Sequence, residues 1–498
     1  MKGNMSRPAS KARAGTIVKI VAIALLITFA APAELLAQST QQHQHGQQPQ
    51  QPPAEQQSSQ QAGQQRRVLG PPMTLADLER IASQNNPTLA QAQSAIRAAQ
   101  GRRRQAGMWP NPVVGYQLEE GAFRAFNEKS EHFFFVEQSI PLGGKLGKSR
   151  RIFEQEVAQA EIEAVAQKQR VHNTIRMLYF EALGAQQRLD LRVELARIAR
   201  EAVKTTSELM NVGQADRPDY LAIEIEAQQV ELDLINAEND FEQVWQLVAS
   251  VIGSPELKPA RLAGDLEKEL PNLDQQALMA TLLRESPETR SARAEVERAQ
   301  AVLARARAER VPDLFVRGAI GYSNELLEAP GAPPGRKTGP EASLEVGITL
   351  PIFNRNQGGI AAAEAELAIA ERELTRLELA LRVRLARSFR EYNNARSAVE
   401  RYRQVILPRA ERAYQMYLAS FRQMAAAYPQ VLISQRTMFQ VRENYLDALV
   451  ALHQNAASIE GFLLTGALDP PRMRASEGER VEMTGAGSGL HGGSDDRE

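Results

Sequence analysis

The feature that most constrains this chain is that it contains itself twice. Leu75-Ala76-Asp77-Leu78 ahead of Asn85-Asn86-Pro87-Thr88-Leu89 recurs as Leu273-Asp274-Gln275-Gln276-Ala277-Leu278 ahead of Glu285-Ser286-Pro287-Glu288-Thr289. Trp109-Pro110-Asn111-Pro112 returns as Val311-Pro312-Asp313-Leu314, and Gln138-Ser139-Ile140-Pro141-Leu142-Gly143 as Ile348-Thr349-Leu350-Pro351-Ile352-Phe353. Pro218 before Asp219-Tyr220-Leu221 matches Pro429 before Gln430-Val431-Leu432. The offset is 200 residues at Pro87 and Pro287, 210 at Pro141 and Pro351, and 211 at Pro218 and Pro429. Order is therefore kept with one modest insertion, expected in the Gly- and Pro-rich stretch from Ala329 to Pro340, which reads as a surface loop. Self-similarity on this scale fixes the architecture before any single element does.

Each copy reads as helix, strand, strand, very long helix, turn, helix. In the first, Val171, Ile175, Leu178, Ala182, Ala185, Leu189, Ala196, Ala199 and Val203 follow a coiled-coil period. A second stripe, Leu191, Leu195, Ile198, Ala202 and Leu209, lies on another face, so this helix needs neighbours on two sides. From Lys145 to Val212 it would reach about 100 Å. The second copy repeats the pattern through Leu374, Leu381, Leu385, Ser388, Tyr392, Ala395, Val399, Tyr402 and Ile406. There Pro408 interrupts it, where the lost donor and the ring clash predict either a bend peculiar to this copy or a tolerated kink. The strands are shorter. Leu344, Val346, Ile348 and Leu350 alternate with Ser343, Glu345, Gly347 and Thr349, while Leu314 to Tyr322, Val113 to Leu118 and His132 to Ile140 supply three more. Their length suits a tilted membrane crossing with lipid on one face and water on the other. Four strands cannot close a barrel, so spanning would require several chains to pool them; a small soluble sheet is the other reading.

The ends differ from the body. Lys2, Arg7, Lys11, Arg13 and Lys19 precede an apolar run from Ile20 to Ala31, a pattern that predicts a signal peptide cleaved after Ala33 or Ala37. The run is too short to span a bilayer. Residues 38–70 are dominated by Gln and read as a disordered spacer, and 469–498 as a disordered tail. The predicted partition is then 1–37 signal peptide, 38–70 spacer, 71–253 first repeat, 254–272 linker, 273–468 second repeat and 469–498 tail. With no cysteine in 498 residues, disulfides and cysteine-borne lipid are both excluded.

Chemistry is sparse. Aromatic residues make up 5% of the chain and the formal net charge is -1, which argues against nucleic acid as a partner. His132, His172 and His453 are isolated, without a second ligand at helical spacing, and no nucleophile–base set stands out, so neither an enzyme nor a cofactor is expected.

Val136-Glu137-Gln138-Ser139-Ile140-Pro141-Leu142-Gly143-Gly144-Lys145, with the duplication, paired strands and long helices, resembles the TolC-like outer-membrane efflux proteins over nearly all of residues 73–468. The likeness is to the heavy-metal members of the cobalt-zinc-cadmium type. Pro141 would end the strand, Gly143 and Gly144 would permit the turn, and Lys145 would begin the helix in solvent. Pro351 marks the matching junction. The resemblance implies a mainly α fold with a small β part. Four strands per chain would join a trimeric 12-stranded transmembrane β-barrel continued by a periplasmic α-barrel. It also implies a periplasmic adaptor and an inner-membrane pump of the proton-driven resistance-nodulation-division type. The expected function is a passive exit duct for heavy-metal cations, with a multidrug or type I secretion duct, or a periplasmic coiled-coil scaffold, as the alternatives.

The hairpin tips would meet the adaptor. Asn211-Val212-Gly213-Gln214 looks like the first; in the second, Gln423-Met424-Ala425, Met424 stands where a glycine is expected. Asp216 and Asp219 near the first tip are candidates for an acidic ring at the periplasmic entrance, or simply cap the returning helix beside Pro218.

Overall fold

The computed structural model describes residues 72–119, 130–213, 215–268, 270–326, 335, 337–423 and 428–472. The expected signal peptide and spacer, Gln214, Met424, Ala425 and most of the Ala329–Pro340 loop lie outside these residues.

The first half runs α1 (Leu75–Asn85), α2 (Pro87–Ala106), β1 (Val113–Glu119), β2 (Glu131–Ile140), α3 (Lys145–Asn211) and α4 (Arg217–Val251). The second runs α5 (Gln275–Glu285), α6 (Pro287–Ala308), β3 (Leu314–Leu326), β4 (Lys337–Ile348), α7 (Gln357–Arg401), a π turn (Tyr402–Ile406), α8 (Leu407–Arg422) and α9 (Tyr428–Glu460). Each half thus opens with two helices where one was expected. The break is local chemistry: Pro87 and Pro287 stand at N1, and Asn86 and Ser286 cap the new helices by accepting from the Thr88 and Thr289 amides. β4 takes in Lys337 to Pro340, so the inserted loop is shorter than expected, and this strand ends at Ile348 rather than Leu350.

α3 is 67 residues long and unbroken. Its counterpart passes through the π turn, which ends two residues before Pro408. A proline has no N–H to donate and crowds the carbonyl four residues back, and one widened turn absorbs both defects while the helix continues. The two halves differ here, as Pro408 suggested.

The main core joins α1, α3, α4, α5, α7 and α9 around Leu78, Ile175, Leu183, Trp245, Leu381, Leu385, Tyr392, Leu449 and Leu452. The segment read as a linker belongs to it. Leu262 and Leu266 are buried, Met73 pairs with Leu262 as an isolated bridge, and Gln186 brackets Leu262 through both its amide and its carbonyl. Trp245 donates to the Leu257 carbonyl at 2.9 Å, and the Tyr392 hydroxyl donates to that of Pro271 at 2.7 Å. Farther along, α3 and α4 meet where Ala196 and Ala199, small enough to let the helices approach closely, pack on Val230 and Leu234.

The helices form a layer with free borders: α3 packs on α2, α4, α6 and α9, while α7 packs on α6 and α9 and α8 on α9. Exposed apolar side chains line both borders: Leu221, Ile225, Leu232 and Ile235 on α4, and Ile369, Leu379, Val383 and Met416 on α7 and α8. The sheet is open in the same sense, antiparallel in the order β1-β2-β3-β4.

Candidate functional site

A strand sends alternate side chains to opposite faces, and the register shows how far apart in character these faces are. Val114, Val136, Gly318 and Leu344 form one cross-strand row, and Tyr116, Phe134, Ile320 and Ala342 the next. This face is apolar and exposed; Val114, Phe134, Ile320 and Leu344 each leave more than 60% of their surface uncovered. The other face carries Glu119, Glu131, Glu137, Glu341 and Glu345 against Arg317 and Lys337.

Arg317 stands between Glu137 and Glu345 in register, bonds Gln117, and lies 4.1 Å from the centre of the Phe135 ring. On this polar face each phenylalanine covers the glycine paired with it: Phe135 over Gly115, Phe133 over Gly321, and Phe315 over Gly347. A Cβ at Gly321 would stand 2.2 Å from the His132 carbonyl oxygen, so the glycine is required by close approach.

The strand-to-helix junction departs from expectation at Lys145. Pro141 follows the last β2 residue, and Gly143 and Gly144 both take φ 68°, the left-handed turn their lack of a Cβ permits. Lys145 is not solvated: its side chain is 6% exposed and pairs with Asp313 at 2.8 Å and Glu309 at 3.3 Å. Asp313 also accepts from the Leu142 amide at 3.0 Å, so one carboxylate fixes the turn and the ammonium together. The first half's junction is therefore locked onto the second half's. Pro351 sits in a loop between exposed Leu350, Ile352 and Phe353, with no equivalent of that lock among the described residues.

At the first tip Asn211 ends α3, Val212 is exposed and Gly213 turns at φ 75°. Asp216 occupies the N-cap position of α4, yet its side chain makes no capping bond; Asp219 lies in the first turn, and both are exposed. A capping hydrogen bond therefore does not account for Asp216. Gln423 closes α8 at the second tip and is exposed.

Sequence reasoning missed the seam above these tips. Arg192 reaches Asp233 on α4 at 2.7 Å and grips Glu443 on α9 through Nε at 2.7 Å and Nη2 at 2.9 Å. Arg188 pairs with Asp447, and Arg436 with Glu226. Burial pushes the Glu443 carboxyl above its ordinary value, against the pull of Arg192 and Arg188. The opposite charges recur along α3 and α9 at helical spacing, but only packing tells which helix faces which.

His453 is buried, stacks on Phe180 and bonds the Leu266 carbonyl; burial lowers its pKa, so it serves as a neutral donor. His132 bonds Tyr116 and Ser130, and His172 faces Glu79. Among the described residues no group of three or more His, Asp or Glu side chains could hold a metal ion, and no helix is long and apolar enough to cross a membrane.

A two-faced sheet on a layer of long helices is the form of a known family, whose model, outer membrane efflux protein, matches residues 78–254 and 278–463. This chain belongs to the outer membrane efflux protein family. Over 396 residues, 79% of this chain and 90% of the relative, it is 28% identical to the cobalt-zinc-cadmium resistance protein CzcC of Cupriavidus metallidurans. VceC, an outer membrane protein of Vibrio cholerae, superposes with a TM-score of 0.62 at 18% identity, covering 78% of this chain and 96% of its own. CusC, a transmembrane channel, gives 0.61 at 18% identity over 79% and 92%. Family and fold are thus those of an outer-membrane efflux channel rather than an enzyme, as the sequence resemblance implied.

Proposed function

We propose that this protein is the exit duct of a tripartite efflux system, passively conducting heavy-metal cations from a periplasmic adaptor and an inner-membrane pump to the exterior. The observation that carries this reading is the sheet, apolar on one face and glutamate-rich on the other, with both β1 and β4 unpaired at its edges. Unpaired strand edges are not tolerated in hydrocarbon. Head-to-tail pairing of β1 on one copy with β4 on the next removes them, and the same rotation brings the apolar border of α4 against that of α7 and α8. Three copies would then close 12 strands, with the glutamates lining the lumen and the helices continuing it into the periplasm. Ile225→Lys with Leu232→Lys tests the closure. Outer-membrane extracts of the unaltered chain should show a heat-sensitive oligomer and the double variant only monomer; a monomeric, soluble native chain would overturn the duct.

The cation preference rests on the same glutamates, on Asp216 and Asp219, and on the likeness to a cobalt-zinc-cadmium resistance protein. Three copies would place these aspartates in a ring at the entrance, beside tips formed by Asn211, Val212, Gly213 and Gln214, and by Gln423, Met424 and Ala425, where the adaptor would dock. Asp216→Asn with Asp219→Asn should lower the cation-to-anion permeability ratio in planar bilayers about fivefold, the factor that roughly 1 kcal/mol of attraction supplies. An unchanged ratio would remove these residues from the entrance.

A further inference from the structure

Exposed apolar residues do not stop where the strands do. Beyond the ends of β1, β2 and β4 stand Met108, Trp109, Leu142, Leu350, Ile352 and Phe353, all exposed, with Phe353 at 92% and Trp109 at 61%. These residues gather at one end of the sheet, the end joined to the helices: Gln138 bonds the Pro110 carbonyl at 3.0 Å, and Asn356 reaches the Ala306 carbonyl at 2.9 Å.

Beside them stand four exposed arginines: Arg103 and Arg104 at the end of α2, Arg310 after α6, and Arg355 before α7. None has a side-chain partner among the described residues. The neighbouring carboxylates are already engaged, Glu309 and Asp313 by Lys145, Glu154 by Arg150 and Arg151, Glu156 by Arg102, and Glu364 by Arg307. Unpaired guanidinium groups in a chain of net charge -1, set immediately below a hydrophobic band, call for an anion at that depth.

We infer that this collar seats the protein on the anionic phospholipids of the membrane's periplasmic leaflet. Trp109, Ile352 and Phe353 enter the headgroup boundary, and Arg103, Arg104, Arg310 and Arg355 bind the lipid phosphates. The inference rests on the reading above that the strands cross the bilayer, because only then does the helix-bearing end of the sheet lie at this leaflet.

Trp109 is one of only two tryptophans, and the other, Trp245, is buried in the core. The full chain is reconstituted in phosphatidylethanolamine vesicles containing phosphatidylglycerol, with one lipid or the other brominated. The signal lost in Trp109→Phe isolates Trp109. Brominated phosphatidylglycerol should quench that signal roughly fivefold more per mole than brominated phosphatidylethanolamine. Replacing the four arginines by Gln should abolish the preference while the protein still inserts. Equal quenching by both lipids in the unaltered chain, or none by either, overturns the collar. A fluorophore on Phe134→Cys separates the two readings. If it is lipid-quenched while Trp109 is not, the collar alone fails; if neither is quenched, the spanning strands fail as well.

Discussion

A chain ending at Glu460 should fail to reach a stable fold, whereas one ending at Arg472 should melt as the full chain does. The reason lies in residues 461–472. Phe462 and Leu463 take left-handed φ values of 57° and 59°, and the segment then crosses α3, burying Leu464 and Ala467. Asn173 donates to the Leu464 carbonyl, Gln167 to those of Ala467 and Asp469, and Thr88 to that of Ala467. Arg472 donates its amide to Glu163 at 2.7 Å and faces Glu288, which Arg384 also binds. The expected tail therefore begins at least four residues later than the composition suggested, because Asp469 to Arg472 are held in place. Removing the segment hands the Gln167 and Asn173 amides to water, at about 0.5–1.5 kcal/mol for each hydrogen bond lost. It also exposes the apolar surface under Leu464 and Ala467, worth about 2 kcal/mol more. Against a total stability of about 5–15 kcal/mol, that loss is decisive. Thermal unfolding in detergent of the two truncated chains makes the comparison, and equal melting would show that the segment is dispensable.

The second large effect is expected at the strand-to-helix junction. Glu309→Gln with Asp313→Asn should destabilise the chain by about 3 kcal/mol, the lower end of the range for a broken buried pair, since both carboxylates keep some water. Lys145 is left charged with only neutral acceptors, and the turn through Gly143 and Gly144 loses its tie to the second half. Adding Lys145→Met should recover most of the loss, because an apolar side chain of similar length fits the site without needing a partner. If Lys145→Met deepens the loss instead, the ammonium is contributing more than its ion pairs.

Lys145 also shows where reading the chain stopped. Pro141, Gly143 and Gly144 act locally, so the turn could be anticipated from its residues. Burial of the next residue depends on Glu309 and Asp313, which are brought to it only when β3 has paired with β2. The seam at Arg192, Asp233 and Glu443 was hidden for the same reason. By contrast, the π turn was nearly visible, because Pro408 imposes its defect within one turn of its own position.

What the sequence alone determined were the properties set by neighbours along the chain. They include the turn after Pro141, the 67-residue span of α3, and the alternation that makes each strand apolar on one side. The tertiary structure decided which faces meet. It aligned four alternating strands so that their glutamates share one face, folded the 254–272 segment into the core, and left α4, α7, α8, β1 and β4 as open borders. Periodicity specifies that a helix or strand has an apolar side, but the partner for that side is chosen by packing between residues hundreds of positions apart.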